Sequence, residues 1–279
     1  MLAERRLLRV ESLSKRYGDG CPACEGPEPV LDRNHCRRCG TVHAVRGVSF
    51  ELYPGEVLGI VGESGSGKST VLDCLYYDST ADSGSAYLDN FREGTVDVLS
   101  VSAQAKRAIR NELLGKVYQS PGAGLRMKFS SIANVAEKMI CAGSRSVSAM
   151  EARARELLGR VSIPEGRMGD APERFSGGMR QRVQIAKALS NNPPLIFFDE
   201  VTTGLDLSVQ AKVLDLIVEI RRESGVGMVL VSHDLAVVRM LADRTLVMQD
   251  GRIVEAGLTD QILEDPQHPY TQELVHALL

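Results

Sequence analysis

Three short apolar runs along the chain are each followed by a pattern typical of a helix. The runs are 57–61, which precedes a glycine-rich turn, 195–198 and 228–231. Short buried strands that lead into helices are typical of a parallel sheet covered by helices. The pattern therefore predicts an α/β core.

Outside this core the pattern changes. Alternation of apolar and polar residues in 7–10 and 45–52 predicts antiparallel strands, with a cysteine-containing segment as a long loop between them. Residues 102–174 have a mostly helical pattern and predict a helical insertion in the α/β core. Residues 245–254 predict a hairpin with an Asp-Gly turn, followed by a short helix.

Composition narrows the class of protein. The chain has 279 residues, 43% hydrophobic and 25% charged, which fits a globular protein and excludes a disordered or fibrous one. The formal net charge of −3 offers no overall positive field for a nucleic acid or an anionic membrane. No apolar stretch approaches the length of a membrane span, and the N-terminus lacks the apolar core of a secretory signal. We expect a cytoplasmic protein with no membrane insertion and no nucleic-acid partner.

A glycine-rich motif follows the first apolar run. Residues 62–69, hereafter the phosphate loop, read Gly-Glu-Ser-Gly-Ser-Gly-Lys-Ser and fit the pattern G-x-x-x-x-G-K-[ST]. The glycines let successive N–H groups point at phosphate oxygens, and a following helix adds its dipole. Lys68 is expected to reach the β- and γ-phosphates and Ser69 to bind Mg²⁺. The alternative is a glycine-rich turn without a ligand, which the strand–loop–helix context disfavours.

The second apolar run ends in two carboxylates. Asp199 is suited to the Mg²⁺ shell, and Glu200 is suited to orient or deprotonate an attacking water. A solvated strand edge is the alternative interpretation. The upstream phosphate loop favours the functional one.

Residues 175–182, Phe-Ser-Gly-Gly-Met-Arg-Gln-Arg, lie between these motifs and resemble the signature sequence of the ATP-binding-cassette (ABC) ATPases. Further family elements occur in the family's order, and they are Tyr17, Gln119, Asp206 and His233. The resemblance implies one ABC domain over 1–279, a P-loop NTPase with a RecA-like core, an antiparallel β subdomain and a helical subdomain. The helical subdomain would span 102–174 and end at the signature.

The resemblance also implies a site. Tyr17 would stack on adenine, and Gln119, Ser69 and Asp199 would hold Mg²⁺. The catalytic residues would be Lys68, Gln119, Glu200, Asp206 and His233. The other contacts to ATP would come from Gly62, Glu63, Ser64, Gly65, Ser66, Gly67, Thr70, Ser176, Gly177, Gly178 and Met179. Two cassettes, most simply two copies of this chain, would pair head to tail around ATP.

Two positions depart from the family's usual pattern. Met179 stands where many members have glutamine, and Val201 replaces the proline that usually follows the catalytic glutamate. Neither position supplies a phosphate ligand, so we expect activity to survive. Val201 lacks the fixed φ of proline, so any backbone difference is expected just after Glu200.

Four cysteines crowd into the segment 20–41 with the spacing C-x2-C-x11-C-x2-C, and they are Cys21, Cys24, Cys36 and Cys39. Each C-x2-C pair forms a tight turn, hereafter a knuckle, and two knuckles suit tetrahedral thiolate coordination. Four protein ligands indicate a structural Zn²⁺. An iron–sulfur cluster and free or redox-active thiols are the alternatives, with His35 and His43 as substitute ligands. The segment interrupts the hairpin that carries Tyr17, so it should project beside the nucleotide site. Cys74 and Cys141 are expected in the core.

The C-terminal region indicates the branch of the family. Residues 265–271, Asp-Pro-Gln-His-Pro-Tyr-Thr, resemble the tail of oligopeptide, dipeptide and nickel importer ATPases and of the ATP-binding component of carbon–phosphorus lyase systems. Gly-Leu-Arg-Met at 124–127, Gly-Leu-Thr-Asp at 257–260 and the short tail favour the lyase component. The partners would then be lyase core subunits, whereas an importer would need permease subunits. A third possibility is another soluble ABC ATPase that remodels a metalloenzyme.

Overall fold

The structure is a computed structural model that describes residues 5–26 and 31–278. Within these ranges the chain forms nine strands. They are β1 Leu8–Tyr17, β2 Val42–Leu52, β3 Val57–Val61, β4 Ser83–Leu88, β5 Leu114–Val117, β6 Leu195–Asp199, β7 Gly227–Val231, β8 Arg244–Gln249 and β9 Arg252–Leu258.

Eleven α-helices lie in the same described ranges. They are α1 Pro22–Glu25, α2 Lys68–Leu75, α3 Ala103–Glu112, α4 Pro121–Gly124, α5 Ser131–Cys141, α6 Val147–Arg160, α7 Gly177–Ala188, α8 Leu207–Ser224, α9 Leu235–Leu241, α10 Thr259–Glu264 and α11 Pro269–Leu278. No helix among these residues is long and apolar enough to span a membrane.

The first of two compact units takes in the described parts of 1–53, 57–101 and 231–279. It contains an antiparallel sheet in the order β2–β1–β4, in which Val10 lies between Phe50 and Ala86. These three side chains are at most 6% exposed, which is why apolar residues alternate along the strands. In the same unit β3 runs parallel to β8, and β8 is antiparallel to β9 across the Asp250-Gly251 turn. The predicted antiparallel strands and C-terminal hairpin are confirmed.

The second unit takes in 54–56 and 102–230. Strand β5 runs parallel to β6, and β7 is the other neighbour of β6. Every residue of β6 is buried, as its unbroken apolar run predicts. Helix α6 buries Ala154, Leu157 and Leu158 completely, which confirms the helical pattern of that segment.

Two details differ from the sequence pattern. The four residues of β5 lie within the region predicted to be mostly helical, since a run of Leu-Gly-Lys-Val is too short to show a period. Cys74 is buried as predicted, but Cys141 is exposed, so its assignment to the core is wrong. Helix α5 buries a stripe that includes Val135, Lys138 and Met139, and position 141 at its end falls outside that stripe.

Candidate functional site

The phosphate loop connects β3 to α2, and α2 begins at Lys68 as the sequence predicts. At two of its glycines the backbone lies so close to neighbouring strands that a side chain is excluded. A Cβ at Gly62 would approach the Met248 carbonyl oxygen to 2.1 Å, and one at Gly67 would approach the Ala44 carbonyl oxygen to 2.0 Å. Both residues also have positive φ, so glycine is required at both positions.

Lys68 is 5% exposed, and its ammonium lies inside the curve of this loop. Its Nζ donates to the carbonyl oxygens of Gly62 and Glu63, each at 2.8 Å, and lies 3.3 Å from Ser66 Oγ. A buried ammonium needs such partners because desolvation is costly. The loop therefore presents a cation and a helix N-terminus at the same place, which suits a phosphate group.

Three contacts from distant parts of the chain hold the loop. The Tyr270 hydroxyl accepts a hydrogen bond from the Glu63 amide at 2.8 Å, and the Gly251 amide donates to the Ser66 carbonyl oxygen at 3.1 Å. The Asn34 amide Nδ2 donates to the Gly65 carbonyl oxygen at 3.3 Å. Sequence reasoning missed Tyr270 and Asn34 as loop contacts. The tail motif that contains Tyr270 was a usable signal, whereas nothing in the local sequence marks Asn34.

Tyr270 is held in place by its own segment. The Glu255 carboxylate on β9 accepts hydrogen bonds from the amides of Gln267 and His268, at 2.8 and 3.0 Å. Tyr270 follows at the start of α11 and is 7% exposed, and burial raises the pKa of its phenol. The phenol therefore stays protonated at neutral pH while its oxygen accepts from the loop.

The two carboxylates lie where β6 ends. Asp199 is its last residue and is 8% exposed. Glu200 is half-buried and has a φ of 47°, a left-handed conformation that is uncommon for a non-glycine residue and frequent at functional sites. Its Oε2 accepts hydrogen bonds from Gln119 Nε2 at 2.8 Å and Thr203 Oγ1 at 3.2 Å. The structure thus brings Gln119 and Glu200 together, and it adds Thr203, which the sequence analysis did not identify.

The signature segment forms the start of a helix. Ser176 is the N-cap of α7, and its hydroxyl accepts from the Met179 amide at 3.4 Å. Ser176 and Gly177 are exposed, whereas a Cβ at Gly178 would approach Val209 Cγ1 to 2.1 Å. Gly178 therefore permits close packing of α7 on α8, and the first turn of α7 presents amides to solvent, where an anion can bind.

Asp206 has a structural role of its own as the N-cap of α8. Its Oδ1 accepts from the Ser208 hydroxyl at 2.7 Å and the Val209 amide at 3.0 Å. These two hydrogen bonds hold the pKa of Asp206 below its usual range. Of the remaining predicted residues, His233 is exposed just after β7, and Tyr17 is 46% exposed at the end of β1.

The four clustered cysteines come together in the first unit. The Sγ atoms of Cys21 and Cys24 are 3.8 Å apart, and those of Cys21–Cys36 and Cys24–Cys39 are each 3.7 Å apart. A tetrahedral metal with bonds of about 2.3 Å places its sulfurs about 3.8 Å apart. Disulfide sulfurs lie at about 2.05 Å, so the arrangement fits a metal and not a disulfide. The ligand atoms of all four lie within 4.8 Å of one another, in a group that includes neither His35 nor His43.

The thiols of Cys24 and Cys39 lie in different electrostatic environments. Burial raises the pKa of the Cys24 thiol to about 12, whereas the Thr41 hydroxyl lowers the pKa of Cys39 to about 6. Four thiolates cannot coexist at this spacing without a positive charge among them. A divalent ion supplies that charge, so the donor set fits Zn²⁺.

A glycine loop around a buried lysine at a helix N-terminus, together with paired carboxylates at the end of a buried strand, defines a P-loop nucleoside triphosphatase. The chain belongs to the ABC transporter family, whose model matches residues 45–203. It is accordingly an ATP-hydrolysing cassette that uses ATP and Mg²⁺.

Similar proteins are known. The chain is 47% identical over 232 residues to the phosphonates utilization ATP-binding protein PhnK of Escherichia coli, covering 83% of this chain and 90% of that protein. It is 39% identical over 246 residues to the oligopeptide transport ATP-binding protein OppD of Bacillus subtilis, covering 86% of this chain and 67% of OppD. The dimeric, ADP- and phosphate-bound structure of the ATP-binding cassette MJ0796 is 28% identical with a TM-score of 0.75, over 90% of this chain and 98% of that one.

Removing the Tyr270 hydroxyl should weaken nucleotide binding. We expect Tyr270→Phe to raise the dissociation constant of a fluorescent ADP by about two- to tenfold, because one hydrogen bond to the loop is lost. Tyr87→Phe, which removes a hydroxyl from β4 in the same unit, is the matched control. Unchanged affinity in Tyr270→Phe would show that the loop does not depend on this contact.

Proposed function

We propose that this chain is the ATP-hydrolysing component of a phosphonate carbon–phosphorus lyase system. It would pair with a second cassette on binding ATP and would dock on the lyase core to drive a conformational change. The observation that carries the proposal is the 47% identity to PhnK, over 90% of that protein. The phosphate loop, in which Lys68 Nζ donates to the Gly62 carbonyl oxygen, supports the ATPase part of the proposal. Identity to the importer ATPase OppD is lower, at 39%.

The phosphates would lie along the phosphate loop, where Lys68 and the backbone amides offset their charge. Ser69, Gln119 and Asp199 would hold Mg²⁺, which when bound neutralises charge that develops on the phosphate oxygens. Thr70 would extend the loop's contacts at the first turn of α2. Tyr17, half-exposed at the end of β1, offers a ring on which adenine can stack.

Glu200 would act as the base for the attacking water. Gln119 and Thr203 bind the same carboxylate oxygen, Oε2, so they fix the orientation of the group that would take the proton. His233 and Asp206 would respond to the γ-phosphate. Asp206 already caps α8, so a displacement of its side chain would also affect the start of that helix.

Pairing with a second cassette follows from the signature. The start of α7, where Ser176 and Gly177 are exposed and Gly178 and Met179 follow, would bind the nucleotide held by a partner cassette. The related MJ0796 cassette is dimeric, which supports this pairing. A homodimer in the cytoplasm, where ATP is supplied, is the simplest form.

Four cysteine ligands would hold a structural Zn²⁺ in the described part of residues 20–41, hereafter the cysteine knob. Sulfur spacing close to the edge of a zinc tetrahedron supports zinc over free thiols. All four coordination positions would come from the protein, which leaves no open position for catalysis.

An importer ATPase that works with permease subunits is the second candidate. The 39% identity to OppD and the tail that contains Tyr270 favour it. A soluble ABC ATPase that remodels another metalloenzyme is the third.

Glu200→Gln should lower ATP turnover on the order of a hundredfold or more, because the amide cannot take the proton of water. The variant should also accumulate as an ATP-bound dimer. Phosphate release and the elution volume with ATP measure the two effects. Glu219→Gln, on the exposed side of α8, is the matched control. An unimpaired rate in Glu200→Gln would remove Glu200 from the role of base.

Partner capture separates the candidate functions. Tagged Glu200→Gln protein with ATP should recover phosphonate-lyase core subunits from native cells grown on a phosphonate as phosphorus source, as identified by mass spectrometry. Lys68→Ala, which lacks the loop cation, should lose ATP-dependent capture. Recovery of membrane permease subunits would support the importer instead.

Metal analysis tests the cysteine knob. We expect about one zinc per chain in protein purified without chelator. Cys36→Ser should lose the metal, whereas Cys141→Ser, which replaces an exposed cysteine outside the cluster, should keep it. A metal-free wild type would defeat the zinc site, and iron in place of zinc would indicate a cluster.

A further inference from the structure

The two knuckles of the cysteine knob are tied together by Thr41, which is 1% exposed. Its hydroxyl accepts from the Gly20 amide at 2.9 Å and contacts Cys39 Sγ at 3.2 Å. Its carbonyl oxygen accepts from the Cys36 amide at 2.9 Å. The four sulfurs and Thr41 therefore define one small unit whose order depends on all of them.

Asn34 lies two residues before Cys36 and reaches out of the knob to the phosphate loop. It is 7% exposed, and its carbonyl oxygen accepts from the His43 amide at 2.8 Å. Its Oδ1 lies 3.1 Å from His35 Nδ1, which orients the amide so that Nδ2 faces the Gly65 carbonyl oxygen at 3.3 Å. A single buried side chain thus joins the metal-ligand segment to the loop that holds phosphate.

A second route runs through the start of β2, which follows the knob directly. The Ala44 carbonyl oxygen lies where a Cβ of Gly67 would be. The Arg46 amide donates to the Gly251 carbonyl oxygen at 2.8 Å, and the Gly251 amide in turn donates to Ser66. Movement of the knob would therefore reach the loop through the backbone as well as through Asn34.

We propose that Asn34 is a positioning residue for the phosphate loop and that it couples metal occupancy of the cysteine knob to nucleotide affinity. The inference rests on the proposed zinc site. A bound metal fixes the knuckles and so holds Asn34 against Gly65. Without metal the segment gains freedom, and nucleotide binding must order it again at an entropic cost. Metal and nucleotide therefore bind cooperatively, and the coupling is reciprocal.

The experiment compares the wild type and Asn34→Ala, each with and without zinc. For each form the dissociation constant of a fluorescent ADP is measured with Mg²⁺. Zinc-free protein is prepared with a chelator that is removed under reducing conditions before Mg²⁺ is added. In the wild type, zinc removal should weaken binding by about three- to tenfold, the effect of roughly one hydrogen bond. Zinc-loaded Asn34→Ala should also bind more weakly, and zinc removal should then add less than it does in the wild type. Asn34→Asp keeps the size but not the donor and should bind no better than Asn34→Ala.

A second measurement follows zinc affinity and does not depend on nucleotide turnover. ADP should tighten zinc binding, measured by chelator competition, by the same factor in the wild type and by a smaller factor in Asn34→Ala. Arg37→Gln, which removes the exposed 2.7 Å ion pair to Asp32 within the knob, should keep the full coupling. Tyr270→Phe, which loses a different contact to the loop, should also keep it.

The outcomes separate this inference from the proposals it rests on. Wild-type affinity in Asn34→Ala, or an equal zinc effect in Asn34→Ala and wild type, overturns the coupling while the zinc site stands. A wild type that takes up no zinc overturns the zinc site and the coupling together and leaves the ATPase untouched. Loss of ADP binding in every form would instead count against the nucleotide site.

Discussion

The phosphate loop depends on a backbone that curls tightly around a buried ammonium. Carbonyl oxygens of Gly62 and Glu63 stabilise Lys68, and the curl is possible only because no side chain separates the loop from β2 and β8. Such a loop cannot hold its shape by itself, since it has no apolar side chains to pack. Its shape is set by what surrounds it, and contacts from both halves of the first unit's sequence converge on it.

This dependence explains what the sequence could and could not predict. The glycines, Lys68 and the strand before them form a local pattern, so the loop was predictable, as were the buried strand before Asp199 and the hairpin of β8 and β9. The contacts of Asn34 and Tyr270 join residues far apart in the chain, and no local period encodes them. Strand β5 escaped detection for a related reason, because its partner strand rather than its own residues determines it.

Several residues that the family resemblance assigns to catalysis or to ATP binding have structural roles in this fold. Ser176 and Asp206 cap α7 and α8, and Gly178 allows the two helices to pack closely. A capping side chain accepts hydrogen bonds from the same first-turn amides that make a helix start attractive to an anion. The two roles therefore draw on one feature, and a substitution at Ser176 or Asp206 will change stability as well as turnover.

The position of the cysteine knob follows from the sheet. Tyr17 and Val42 face each other in the register of β1 and β2, so the segment between them can lengthen without breaking the pairing. A long inserted loop carries an entropic cost, and four ligands on one metal would offset it by fixing both knuckles. Because of this register the knob ends just before Ala44. The Ala44 carbonyl oxygen leaves no room for a Cβ at position 67, where glycine stands. An ordered insertion at this point therefore lies against the phosphate loop, through Ala44 and through the hydrogen bond from Asn34 to Gly65.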